Sequence, residues 1–101
     1  MKYEKTQGGE MLVVSLEGEV DSTNVGELEK MLGEQLSGVT TLVMDCGKLE
    51  YISSAGLRIF LSMQKKMRER GTMEIRHVND EVLEIFAVTG LQKLLNIIYE
   101  E

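Results

Sequence analysis

The chain has 101 residues, 43% of them hydrophobic, and its 17 acidic residues against 11 basic ones give a formal net charge of −6. A chain of this size can bury about two thirds of its unfolded surface in one core, so we expect a single domain over residues 1–101. The acidic balance argues against nucleic acid and anionic membranes as partners, because both attract clustered Lys and Arg.

Two runs with strand character open the chain, over residues 3–6 and 11–17, and the sequence Gln-Gly-Gly-Glu separates them. In the second run Leu12, Val14 and Leu16 recur at every second position, which is typical of a half-buried strand. The glycines between the runs suit a tight connection. These features predict an antiparallel hairpin.

A first helix is predicted after the cap-forming residues 21–24, and it ends near Gly38. Asn24 and Glu27 have the spacing of a capping box, in which the two side chains satisfy free backbone N–H groups at the helix start. Apolar residues follow at helical spacing and form one stripe. The stripe consists of Val25, Leu28, Leu32 and Leu36.

The middle of the chain alternates between strands and helices. Residues 39–45 are apolar and rich in β-branched side chains, which predicts a central strand buried on both faces, and residues 47–52 are predicted as a loop. A second helix begins near Ser54, and we expect Gly71 to end it in a left-handed conformation. Its last turns carry cations that complement the helix dipole. These cations are Lys65, Lys66, Arg68 and Arg70.

The last third of the sequence predicts a strand over residues 72–78, a third helix and a final strand over residues 96–99. Asn79 is the expected N-cap of this helix and Gly90 its C-terminal cap. The whole order is that of an α/β domain whose later crossovers are right-handed. We therefore expect a mixed, mostly parallel sheet of four to five strands with an N-terminal hairpin and three main helices.

Two adjacent hydroxyls, Ser53 and Ser54, stand where the second helix begins. A serine at a helix N-cap accepts a hydrogen bond from a free backbone N–H, and this plain structural role is common. The same helix end carries partial positive charge and favours a phosphate. Residue types alone leave both interpretations open.

Three segments in this order resemble the STAS domain family. They are Gly-Glu-Val-Asp at 18–21, Tyr-Ile-Ser-Ser-Ala-Gly-Leu at 51–57, and the late helix with its Gly-Leu exit at 82–91. Within that family the chain is most similar to stand-alone bacterial anti-sigma factor antagonists. The resemblance runs almost end to end and implies the STAS fold.

The resemblance implies a protein-binding switch and no enzymatic activity. An antagonist of this kind binds an anti-sigma factor that is also a serine kinase, and its phosphorylation by that kinase ends the association. A PP2C-type serine phosphatase then becomes the partner of the phosphorylated form. We expect a cytoplasmic monomer that contacts neither nucleic acid nor membrane.

By the same resemblance Ser54 is the phosphoacceptor, with Ser53 as a competing acceptor. Ser53 stands where the family motif has an aspartate, Ala55 replaces the second motif hydroxyl, and Arg58 replaces a glycine. Gly56 is expected to let a partner approach closely, and Arg58 to pair with an acidic partner group or with a phosphate on Ser54. The expected partner-binding residues are Asp21, Ser22, Ser53, Ser54, Ala55, Gly56, Leu57 and Arg58.

The remaining chemical candidates favour structural roles. His77 is the only histidine, and Cys46, which cannot form an internal disulfide, has the character of a small core or edge residue. With no secretory leader or long apolar span in the sequence, one free cysteine favours a reducing compartment. Ordinary solvated charge explains the acidic residues near strand ends better than a divalent-ion site, so we expect no metal and no cofactor. These residues are Glu17, Glu19, Asp21 and Asp45.

The alternative function is a constitutive STAS scaffold, or a subunit of a transport or signalling complex. In that case Ser53 and Ser54 only cap the helix and no kinase acts on them. Phosphate uptake in the presence of a cognate kinase and ATP distinguishes this scaffold from the switch.

Overall fold

A computed structural model describes residues 1–99. From the first strand to the third helix the chain forms strands and helices in the predicted alternation, and a short 3-10 turn at Leu91–Lys93 follows the last helix. The strands are β1 (Lys2–Lys5), β2 (Met11–Val20), β3 (Thr41–Ile52) and β4 (Thr72–Arg76), and the helices are α1 (Val25–Gln35), α2 (Ser54–Arg70) and α3 (Asp80–Thr89).

The strands form one sheet in the order β1-β2-β3-β4. β1 and β2 pair antiparallel, and β2, β3 and β4 run parallel to one another. The predicted hairpin and the mixed, mostly parallel sheet are therefore confirmed. β3 lies inside the sheet, and three consecutive residues of it, Leu42, Val43 and Met44, are buried. Leu42 and Met44 belong to the core, whereas Val43 lies on the opposite face between the half-buried Thr41 and Asp45, so the predicted burial on both faces holds only in part.

The predicted final strand is wrong in extent. Within the described residues this segment makes only one isolated parallel bridge, between Ile97 and Ile75. The backbone N–H of Asn96 donates to Gln64 Oε1 at 3.1 Å, and its side-chain amide donates to the Met73 carbonyl at 3.1 Å. Two backbone bonds flank the bridge, because the Ile75 N–H donates to the Asn96 carbonyl at 2.9 Å and the Ile98 N–H donates to the Ile75 carbonyl at 2.8 Å. The pairing with β4 extends no further within the described residues, so the segment is shorter than the predicted strand.

The loop predicted over residues 47–52 is also wrong, because β3 continues through it to Ile52. The register of β3 shifts twice against β2, first between the Ser15–Asp45 and Glu17–Lys48 pairs and then at Gly18–Leu49. Each shift places an extra residue on β3, as in a β-bulge. The bulges break the strict alternation that would have revealed a strand.

One hydrophobic core lies between the sheet and the helices. Leu12, Val14 and Leu16 are buried on one face of β2, as their alternation predicts. The Phe60 and Phe86 rings, 5.9 Å apart between centroids, join α2 to α3 in this core. Within residues 1–99 we find no helix with the length and apolar character needed to cross a bilayer.

The predicted helix caps differ in outcome. Asn79 caps α3 by accepting from the Val82 N–H at 2.9 Å, and Gly90 ends that helix in the left-handed conformation with φ of 81°, both as expected. The capping box of α1 is wrong. The Asn24 side chain accepts from the Asp21 N–H at 3.0 Å and donates to the Glu19 carbonyl at 2.7 Å, so it makes no bond to the start of α1.

Gly71 ends α2 for a reason other than the predicted left-handed turn. Its φ is 165°, which is extended backbone. A Cβ at this position would overlap the carbonyl oxygen of Thr40, and that same oxygen accepts from the Thr72 N–H at 2.8 Å. Close approach of two backbones therefore requires glycine at the junction of α2 and β4.

Gly71→Ala should destabilise the fold by about 1–3 kcal/mol, because either Thr40 or the start of β4 must move. The matched control is Gly33→Ala on α1, where an added Cβ meets open space. That control should hold or raise stability by up to about 1 kcal/mol, since alanine favours helix. Urea denaturation measures both variants, and equal stability of the Gly71 variant and the parent would contradict this account of the junction.

Cys46 is buried, as expected for a small core residue. Its Sγ lies 3.8 Å from the Met44 carbonyl oxygen. Burial raises the pKa of the Cys46 thiol to about 12, and the negative charge of Asp45 adds to the rise. The thiol is therefore protonated and unreactive near neutral pH.

Alkylation of Cys46 by iodoacetamide at pH 8 should be slow in the native protein. With a pKa near 12 only about one thiol in ten thousand is ionised at that pH, whereas about a quarter is ionised in the unfolded chain. Mass spectrometry of protein labelled with and without urea measures the difference. Comparable labelling in the two states would show that the thiol is accessible in the fold.

Candidate phosphoacceptor and protein-docking site

The start of α2 is attached directly to the sheet. β3 ends at Ile52, and the Ser53 N–H donates to the Val20 carbonyl of β2 at 2.8 Å. The Ser53 carbonyl then accepts the first helical bond, from the Leu57 N–H at 2.9 Å. Ser53 is thus the N-cap residue in extended conformation, and Ser54 is the first residue of α2.

Gly56 makes this attachment possible. A Cβ on Gly56 would come within 2.6 Å of Ile52 Cγ1 and 2.9 Å of Val20 Cγ1. Gly56 is buried against the ends of the two strands, so its small size serves packing inside the fold. This differs from the expectation that the small size of Gly56 serves to let a partner approach closely.

The two serines have different surroundings. Ser53 occupies the N-cap position but makes no side-chain cap bond, and its Oγ is buried without a hydrogen-bond partner among residues 1–99. The hydrogen bond of a plain N-cap is therefore absent. Ser54 is exposed. A kinase must bring its nucleotide to the acceptor oxygen, and this geometry favours Ser54 over Ser53.

The electrostatics at this helix end suit an anion. The first turn of α2 carries no acidic residue, and Arg58 is exposed one turn after Ser54. The free N–H groups of a helix start and the helix dipole together produce partial positive charge there. A phosphate on Ser54 would meet favourable charge from its own helix.

The loop after β2 lies beside the same helix end, because Asp21 directly follows the residue that accepts from Ser53. Asp21 Oδ1 accepts hydrogen bonds from the hydroxyl and the N–H of Thr23. These bonds lower the pKa of Asp21 and keep its carboxylate ionised at neutral pH. Ser22 is exposed in this turn. The parallel strands β2 and β3 thus bring residues 21–22 and 53–58 to one edge of the sheet.

An apolar groove borders Ser54. It has a volume of about 220 Å³, and α2 lines one side while the end of α3 and the segment after it line the other. Sequence reasoning missed the contribution of Thr89 and Leu91, although the Gly-Leu exit of the late helix was a signal for this segment. The groove is lined by Ser54, Leu57, Arg58, Leu61, Thr89 and Leu91.

The other chemical candidates lie elsewhere. Among residues 1–99 no three side chains of the His, Cys, Asp or Glu type converge to hold a metal ion. His77 Nδ1 lies 3.0 Å from Asp45 Oδ1, and the same oxygen accepts from the Gly47 N–H at 3.0 Å. This pairing agrees with the structural role expected for His77.

Comparison with known proteins agrees with this geometry. A family model described as "Mlab, STAS domain" matches residues 4–97. BtrV of Bordetella bronchiseptica, a candidate anti-sigma factor antagonist, is 39% identical over 82 residues, which cover 79% of this chain and 71% of BtrV.

Solved structures of low sequence identity share the fold. A candidate anti-sigma factor antagonist from Thermotoga maritima aligns with a TM-score of 0.86 at 16% identity, over 98% of this chain and 86% of that one. Unphosphorylated SpoIIAA, an anti-sigma factor antagonist, aligns at 0.79 with 19% identity, over 98% and 90% of the two chains. Phosphorylated SpoIIAA of Bacillus aligns at 0.72 with 18% identity, over 98% and 93%. The family model and the relative from Bordetella show that the chain belongs to the STAS domain family, alongside the anti-sigma factor antagonists.

Proposed function

We propose that this protein is an anti-sigma factor antagonist that binds its anti-sigma factor through the start of α2 and is released when Ser54 is phosphorylated. One observation carries the proposal: Ser54 is exposed as the first residue of α2, beside an apolar groove. The likeness to BtrV supports the class of partner. The anti-sigma factor would be the serine kinase, a PP2C-type phosphatase would reverse the reaction, and the exchange would take place in the cytoplasm.

Magnitudes indicate that a phosphate acts by blocking contact. It adds about −1.5 to −2 charges, and an exposed anion at a helix start gains only about 0.3–1 kcal/mol, too little to rearrange a domain. A hundredfold loss of affinity takes only about 2.7 kcal/mol. Desolvating a phosphate against an apolar surface costs at least that much. The groove can therefore accept an apolar side chain of the partner while Ser54 is unmodified, and a phosphate on Ser54 excludes that side chain.

A phosphorylation-independent scaffold is the second candidate. It is favoured by Ser53, whose neutral, buried hydroxyl stands at the position that the motif resemblance gives to an aspartate. A carboxylate at that place would help to orient the acceptor hydroxyl or the metal-bound nucleotide of a kinase. Without that carboxylate, phosphorylation of Ser54 is the observation that distinguishes the switch from the scaffold.

Incubation with the cognate anti-sigma factor kinase and ATP should add one phosphate, located on Ser54. Ser53→Ala should still accept it and Ser54→Ala should not, because only Ser54 is exposed. Intact mass and fragment-ion mapping give the result. A protein that stays unmodified would favour the scaffold, and phosphate on Ser53 would contradict the assignment of the acceptor.

Ser54→Asp places a negative charge at residue 54 and should weaken binding of the anti-sigma factor at least about tenfold, or about 1.4 kcal/mol. Ser54→Ala should bind like the parent. Ser37→Asp is the matched control, since Ser37 is exposed and precedes β3 at the opposite end of the sheet. Isothermal titration calorimetry measures all four proteins. Equal affinity of Ser54→Asp and the control would contradict a charge-controlled docking site.

A further inference from the structure

Arg58 is a cation placed where the helix does not need one. It is the fifth residue of α2, exposed, and no carboxylate within residues 1–99 pairs with it. A helix start carries partial positive charge, so a cation near it gains nothing from its own helix. Arg58 contributes to the wall of the groove beside Ser54, and its charge has no ionic partner within the described chain. Its guanidinium is therefore available to a negative group at the start of α2.

We propose that Arg58 is the intramolecular counter-charge of a phosphate on Ser54, closing over the modified residue as an arginine–phosphate pair on one face of α2. This inference rests on the proposed function, because it takes Ser54 as the phosphoacceptor. It adds the residue that pairs with the phosphate once Ser54 carries it, and that holds the phosphate in place.

The geometry permits this pair. Residues four apart on a helix lie on the same face, one turn or about 6 Å along the axis, within reach of a guanidinium. Ser54 and Arg58 also line the same groove. The planar guanidinium can donate two parallel hydrogen bonds to phosphate oxygens. A phosphate held in this way lies over the groove. Arg58 is the one cation among the residues that line this groove.

The surrounding charges leave Arg58 as the natural partner. On the far side of the groove Thr89 and Leu91 are uncharged. The turn after β2 contributes Asp21, whose lowered pKa keeps it negative and repulsive to a phosphate. A dianion at Ser54 therefore meets like charge from Asp21 and opposite charge from Arg58.

The test uses protein carrying phosphoserine at position 54 by chemical ligation or by incorporation during translation, so no kinase is needed. The second ionisation of the phosphate is followed by phosphorus NMR in the parent, in Arg58→Gln and in Arg68→Gln. Arg68 is the matched control, since it is exposed on α2 and lies about 21 Å from Ser54 along the helix axis. Thermal melting checks that all three proteins are folded.

Arg58→Gln should raise the pKa of the phosphate by about 0.2–0.4 units, because the dianion loses its partner. Added salt should shrink the difference, and Arg68→Gln should titrate like the parent. Identical titration of the Arg58 and Arg68 variants would overturn the pair. That outcome leaves the phosphoacceptor assignment intact, whereas a failure of the kinase to modify Ser54 would remove the proposed function without affecting this titration.

Discussion

The functional surface depends on one junction, where the carboxyl ends of β2 and β3 meet the start of α2. The Ser53 N–H bond to the Val20 carbonyl continues the sheet by one hydrogen bond into the helix cap. Gly56 packs against Val20 and Ile52 with no room for a Cβ. Because a backbone bond and a tight packing contact act at the same point, the position and direction of the first helical turn are determined by the core.

This junction divides the α2 start into an inner and an outer side. The inner side is buried and contains Gly56 and the unpartnered hydroxyl of Ser53. The outer side contains Ser54 and Arg58, both exposed, at the edge of the groove. In the proposed switch, a charge added on the outer side would change what can dock there and would leave the buried contacts that hold the helix in place. A rigid platform with a chemically variable edge suits a switch between partners.

The sequence predicted features that depend on local pattern. Alternating Leu12, Val14 and Leu16 indicated a half-buried strand, and an apolar run indicated the central one. Asn79 and Gly90 were assigned correctly as caps. The Asn79 amide donates to the Leu49 carbonyl, and its oxygen remains free to accept from the start of α3. Asn24 was assigned wrongly, because its side chain bonds to the turn before α1.

The remaining differences come from contacts between distant segments. The extension of β3 depends on bulges against β2, and the conformation of Gly71 depends on the Thr40 carbonyl. The groove joins α2 to residues after α3, which no local pattern places together. The motif around Ser54 could be recognised in the sequence, whereas the contrast between a buried Ser53 and an exposed Ser54 required the fold.

The central claim is that a phosphate on Ser54 acts at the surface of an unchanged fold. Amide NMR spectra of the protein with serine and with phosphoserine at position 54 test it most directly. The account predicts chemical-shift changes confined to residues 21–24, 53–58 and 89–91, around the α2 start and its groove. Changes spread across β1 to β4 would contradict it, because they would show that the phosphate alters the fold itself.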